Sequence, residues 1–162
     1  MRIVVPFDVT ASSLFSSNVP ETPPAAYNAG TTYALGDLVS VIQGDGYTYK
    51  VYESLTAGNV GNAVTDDDFW LYRADTYAEY NAGTTYDVDD IVISTTTHRA
   101  YQALTNGESG NSLSNAAKWL DLGPTNRYKM FDQSNTSQTE NGEDIDVTVD
   151  VTGRANSVSF LN

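Results

Sequence analysis

The chain has no cysteine and only one histidine, and its eight basic residues stand against 21 acidic ones, a formal net charge of −13 over 162 residues. Without cysteine there is neither a disulfide framework nor a thiolate metal site, so any small domain here folds without covalent staples. With so few lysines and arginines the chain repels a phosphate backbone, and nucleic acid is excluded as an expected partner. No segment approaches the roughly 20 consecutive apolar residues of a membrane helix, so membrane insertion is not expected. The N-terminal MRIVVPFDVTASSLF carries one basic residue, and its apolar run is broken by Pro6 and Asp8. That is a poor match to a signal peptide, so release by lysis or within a particle is the expected route out of a cell. Long stretches of Ala, Leu, Glu and Lys at helical spacing are missing too.

What is abundant is strand-forming Val, Thr and Tyr, with Tyr alone occurring 11 times. The composition predicts a mainly β chain. Its organisation follows from an internal repeat. The heptapeptide Tyr-Asn-Ala-Gly-Thr-Thr-Tyr occupies Tyr27 to Tyr33 and recurs unchanged at Tyr80 to Tyr86. The match continues from Tyr33–Val39 onto Tyr86–Val92, then aligns Tyr49 with Tyr101 and Trp70 with Trp119, the second copy being slightly shorter. Two tandem small β-modules are therefore expected at 26–75 and 76–123, between an N-terminal strand and extended arm (1–25) and a β-rich C-terminal region (124–162).

Within the first module, Asp37 to Ile42 has strand character, Gly44-Asp45-Gly46 is a hairpin signal, and Tyr47 to Tyr52 alternates aromatic with polar residues. The second module repeats the hairpin with Ile91–Ile93 and His98–Ala103. The Gly- and Asn-rich stretches Thr56–Thr65 and Thr105–Ser114 read as surface loops, after which Trp70 and Trp119 close each small core. In the flanks, Ile3–Val9 reads as a strand, Thr10 as the start of a helical turn, and Pro20, Pro23 and Pro24 as extended chain. Ile145–Val151 alternates apolar with polar residues as a half-buried strand, and Gly153-Arg154 precedes a final strand at Val158–Leu161. The N-terminal strand pairs either with the protein's own C-terminal region or with a neighbouring subunit's sheet.

Chemistry is sparsely signalled. His98 has no partner nearby in sequence and reads as a surface histidine. Asp66-Asp67-Asp68 and Asp87 with Asp89-Asp90 fit solvated turns better than a calcium loop, since no Asp-x-Asp-x-Asp-Gly pattern occurs. No nucleophile elbow, His-Glu-x-x-His or phosphate loop is present, and modules this small offer no deep cleft for an acid pair. A non-enzyme with no cofactor or metal is expected. Tyr47, Tyr49, Tyr52, Trp70, Tyr101 and Trp119, with Tyr72, are the candidates for a carbohydrate-binding face. Alternation puts Tyr47 and Tyr49 on one side of a strand.

Two resemblances add to this reading. Tyr27, Gly30, Tyr33, Gly36, Asp37, Val39, Tyr49 and Trp70, followed by Tyr80, Gly83, Tyr86, Asp90, Val92, Tyr101, Ala103 and Trp119, form a pattern similar to the small chitin- and cellulose-binding modules of bacterial chitinases and endoglucanases. The chain departs from that family in opening each copy with Tyr instead of Trp. It also places Asp89 where the family has Gly, which implies an altered turn. The resemblance implies the fold more than the activity, because the motif residues mostly build the scaffold. Pro124-Thr125-Asn126-Arg127-Tyr128-Lys129-Met130-Phe131-Asp132, and the run Phe15 to Glu21, resemble segments of tail-associated proteins of tailed bacteriophages. This implies a virion structural protein of the tail or neck, present in several copies. Its partners would be other virion proteins and copies of itself, and its modules would weakly touch host surface polysaccharide or act as spacers. The rival readings are a secreted polysaccharide-binding protein and the N-terminal adaptor of a longer tail fibre.

Overall fold

A computed structural model of the chain describes residues 8–132, 134 and 136–151. The expected strands at Ile3–Val9 and Val158–Leu161, and the Gly153-Arg154 turn, lie largely or wholly outside these residues. The protein is mainly β, in three small antiparallel sheets with no α-helix among the described residues. Strands β2 (Leu38–Ile42), β3 (Thr48–Ser54) and β4 (Trp70–Tyr77) form one sheet; β5 (Ile91–Ser94), β6 (Arg99–Ala103) and β7 (Trp119–Pro124) form its counterpart. Strands β1 (Leu14–Ser17) and β8 (Val147–Val149) make a two-stranded ribbon.

Both expected hairpins are present, but the third strand of each sheet, β4 and β7, carries no alternation that announces it in the sequence. β4 runs to Tyr77, through the boundary expected between 75 and 76. The register also corrects the repeat alignment. Val39 faces Tyr52 and Val92 faces Tyr101, so Tyr101 corresponds to Tyr52, not to Tyr49. The same bulge interrupts both sheets, after Val51 and after Ala100. Carried through the bulge, the register matches Arg73 with Leu122, Thr76 with Thr125, and Tyr49 with His98.

The repeated heptapeptide has a physical reason. Tyr27, Tyr33 and Trp70 meet with ring centroids 5.2 to 6.1 Å apart, and Tyr80, Tyr86 and Trp119 repeat the arrangement at 5.5 to 5.7 Å. In each triad the two tyrosines stack and both meet the Trp edge-to-face, contacts that suit the ring quadrupoles and fill a core too small for many aliphatic side chains. The Asn of the heptapeptide holds the turn: Gly30 N–H donates to Asn28 Oδ1 and Gly83 N–H to Asn81 Oδ1, both at 2.8 Å. Each second Tyr hydroxyl then accepts the Asn28 or Asn81 backbone N–H at 2.8 Å.

The Gly/Asn loops do not lie wholly on the surface. Asn59 and Glu108, at corresponding positions, are buried, and each exchanges backbone hydrogen bonds with the core Tyr33 or Tyr86. The loop is drawn inward because its backbone completes the short bridge beside the aromatic triad. The Asp89 turn is not altered. Asp89 adopts φ 74° where Gly36 has φ 85°, so a non-glycine residue bears the left-handed conformation.

Candidate functional site

The arm leads Val19-Pro20-Glu21 into the space between the repeats, where Val19 is fully buried and Glu21 is 6% exposed. A buried carboxylate needs partners. Glu21 accepts hydrogen bonds from Thr125 Oγ1 at 2.9 Å and from His98 Nδ1 at 2.8 Å, with an Arg127 guanidinium nitrogen 3.7 Å away. Its backbone carbonyl accepts the hydroxyl of Thr76. One arm residue is thus gripped by corresponding threonines from both repeats. His98 is not a surface histidine: its ring is largely buried and stacks on Tyr128 at 3.9 Å and 20°. Its φ of 55°, which histidine tolerates better than most residues, belongs to the shorter hairpin of the second repeat. Because a carboxylate only accepts, the proton of this bond sits on Nδ1.

The segment after β7 completes the junction. Arg127 Nε donates to the Val19 carbonyl at 2.7 Å, and burial beside Glu21 pushes the Tyr128 hydroxyl above its ordinary pKa. A 3₁₀ turn, Lys129–Phe131, follows. Asn126 then exchanges two hydrogen bonds with the backbone of Glu140, at 2.8 and 2.9 Å. The returning chain crosses β4 so closely that a Cβ on Gly142 would sit 1.8 Å from the Tyr72 carbonyl oxygen. It ends in β8, whose partner is Leu14–Ser17 of the same chain. Chemically the junction is a fastener. Thr125 and His98 both donate to the one carboxylate, while the other ring nitrogen of His98, Nε2, is buried without a partner.

The aromatic candidates do not gather on one face. Trp70, Tyr101 and Trp119 are buried, at 1%, 8% and 2% exposure, so their rings serve the cores and cannot stack on a pyranose. Tyr52 packs partly against the first core and meets Tyr72 at 5.8 Å. Tyr47 and Tyr49 remain half-buried in the first repeat only; Tyr47 lies 6.4 Å from Tyr77, and Lys50 lies over the exposed Tyr72 ring at 5.6 Å. Among the described residues no group of three or more His, Asp or Glu side chains is placed to hold a metal. Asp66 instead caps its own turn through the Asp68 backbone N–H. A cleft of about 300 Å³ lies between the repeats, lined by Asp75, Tyr77, Ile93, Leu122 and Lys129 among others.

Sequence reasoning missed Glu21, Thr76 and Thr125. One signal was present, since a threonine stands at the same distance after each module's Trp. No protein-family model matches the chain, and neither does any curated protein or solved structure.

Proposed function

We propose that this chain is a non-enzymatic structural protein of a tailed-phage virion, part of the tail or neck, present in several copies and displaying its two modules outward. The observation that carries this reading is the use made of Asn126–Asp132, the stretch similar to tail-associated proteins. Arg127 holds the arm, Tyr128 stacks on the second repeat, and Asn126 holds the returning chain. A segment used as a bracket suits a protein whose task is to hold a shape. Its partners are other virion proteins and further copies of itself, met through the arm and the C-terminal strands, where Phe15 is 79% exposed. Quantitative mass spectrometry of purified particles tests the proposal. A fixed ratio to the major capsid and tail proteins is expected, and absence from washed particles overturns it. Peptides beyond Asn162 would instead identify the adaptor of a longer fibre.

A second reading, binding of a surface polysaccharide, is favoured by the half-exposed Tyr47 and Tyr49 at the hairpin end of the first repeat. Retention on chitin or cell-wall polysaccharide that is lost in Tyr47→Ala or Tyr49→Ala would support it.

A further inference from the structure

The cleft between the repeats is walled by corresponding segments of the two copies, Asp75-Thr76-Tyr77 at the end of β4 and Pro124-Thr125-Asn126 where β7 ends. The two threonines are already spent on Glu21, so the residues beside them set the chemistry of the walls. There the copies are unlike: where the first repeat has Asp75 and Tyr77, the second has Pro124 and Asn126. Leu122, 44% exposed, adds an apolar side chain, and Lys129 and Glu140 reach the cleft from the bracket and the returning chain. Its volume of about 300 Å³ stands at the small end of the range for ligand sites.

Several polar groups here have work left to do. Asp75 accepts the Tyr72 hydroxyl through Oδ1 at 3.1 Å, and among the described residues its Oδ2 has no partner. The Lys129 ammonium forms no ion pair among those residues. Burial, reinforced by the Asp75 carboxylate, pushes the Tyr77 hydroxyl above its ordinary pKa and keeps it a donor. The Tyr77 ring also meets Tyr47 at 6.4 Å, which carries aromatic surface from the cleft to the hairpin end of the first repeat.

These groups select a class of ligand. Lys129 stands with two acids, so a ligand of either sign meets a like charge, and the net charge of −13 repels a polyanion before it arrives. A wholly apolar ligand would bury Asp75 and Lys129 without partners. A pyranose answers both demands, with a CH face for the Tyr77 ring and Leu122 and with hydroxyls that donate to a carboxylate and accept from an ammonium. We propose that the inter-repeat cleft is a saccharide site holding one unit of a neutral polysaccharide, with Tyr77 as stacking ring, Asp75 as acceptor and Lys129 as donor. This rests on the polysaccharide reading and relocates its site. Tyr49 pairs with Thr76, whose hydroxyl turns to Glu21, whereas Asp75 and Tyr77 alternate with Thr76 onto the other face of the sheet.

The test is an amide-shift titration of the ¹⁵N-labelled full chain with chito-, cello-, manno- and xylotetraose, and with an alginate tetramer as the anionic control. At least one neutral oligosaccharide is expected to bind more tightly than alginate, with shifts concentrated at 75–77 and 122–129. Tyr77→Ala and Lys129→Ala are each expected to weaken that binding by about tenfold. If Tyr77→Ala fails to fold, Lys129→Ala and the wild-type shift map decide. Shifts that avoid the cleft, affinity indifferent to Lys129, or tighter binding of alginate overturn the proposal. Binding lost in Tyr49→Ala, with shifts at the hairpin end and none in the cleft, rejects the cleft and leaves the polysaccharide reading standing. No binding of any neutral probe overturns both.

Discussion

The two repeats share a strand order, a bulge and an aromatic triad, yet they differ in how they are closed. The first is wrapped by the arm and the returning chain, keeps Asn59 and Phe69 beside its Trp, and exposes tyrosines at its hairpin. The second sits on the bracket segment, has Glu108 and Lys118 at those two positions, and carries half-exposed leucines, Leu120 and Leu122, on β7. Duplication fixed the inner geometry of each module, and the flanks then gave each copy a different outer surface. The module interior is therefore a poor guide to function here, and the places where the copies differ are a better one.

The difference can be broken most severely at Gly142, which has no counterpart against the second repeat among the described residues. Gly142→Ala places a methyl group against the Tyr72 carbonyl and is expected to cost about 2–3 kcal/mol in chemical unfolding, with new protease cleavage between 140 and 146. An unchanged midpoint would mean that the returning chain does not seat on β4. Next comes the pair Trp70→Phe and Trp119→Phe. Both lose similar apolar area, but only Trp70 Nε1 donates, to the Asn62 carbonyl at 3.0 Å, while Trp119 Nε1 is buried without a partner. Trp70→Phe should therefore be the costlier by about 1 kcal/mol, and equal losses would refute the distinction. Smaller still, Asp89→Gly relieves a left-handed residue and should stabilise by about 0.5 kcal/mol, offset in part by the loss of its contact with Gln102.

Acid sharpens the contrast between the repeats further. The Lys118 ammonium and the Thr105 hydroxyl hold the Glu108 carboxyl below its ordinary pKa. A depressed carboxylate contributes stability that is present above its unfolded pKa and lost as pH falls through the folded one. Asn59 at the corresponding site does not titrate. Amide exchange should thus show the second repeat loosening at a higher pH than the first on acidification, and Glu108→Gln should remove the difference. Simultaneous loosening of the two repeats in the wild type would contradict it.

Much of the fold was legible because it was written twice. The identical heptapeptide marked both cores, and the Gly/Asp turns marked both hairpins. Strands β4 and β7 were hidden because each packs unlike residues, Arg73 and Leu122 among them, at a bulge that breaks the period-two pattern. The aromatic candidates looked like a binding face because sequence carries no depth: a Trp closing a small core and one on a platform have the same neighbours in the chain. Glu21 and His98 were unreadable for the opposite reason. Their partnership spans 77 positions and depends on a left-handed turn at a residue that gives no local sign of it.

Through Glu21 the arm fastens the two repeats into one unit. Backbone ¹⁵N relaxation on the full chain tests it directly. A single rotational correlation time is predicted for both repeats in the wild type, separating into two when Glu21→Ala removes the carboxylate that His98 and Thr125 hold. Two independent correlation times in the wild type, or no change in the variant, would contradict it.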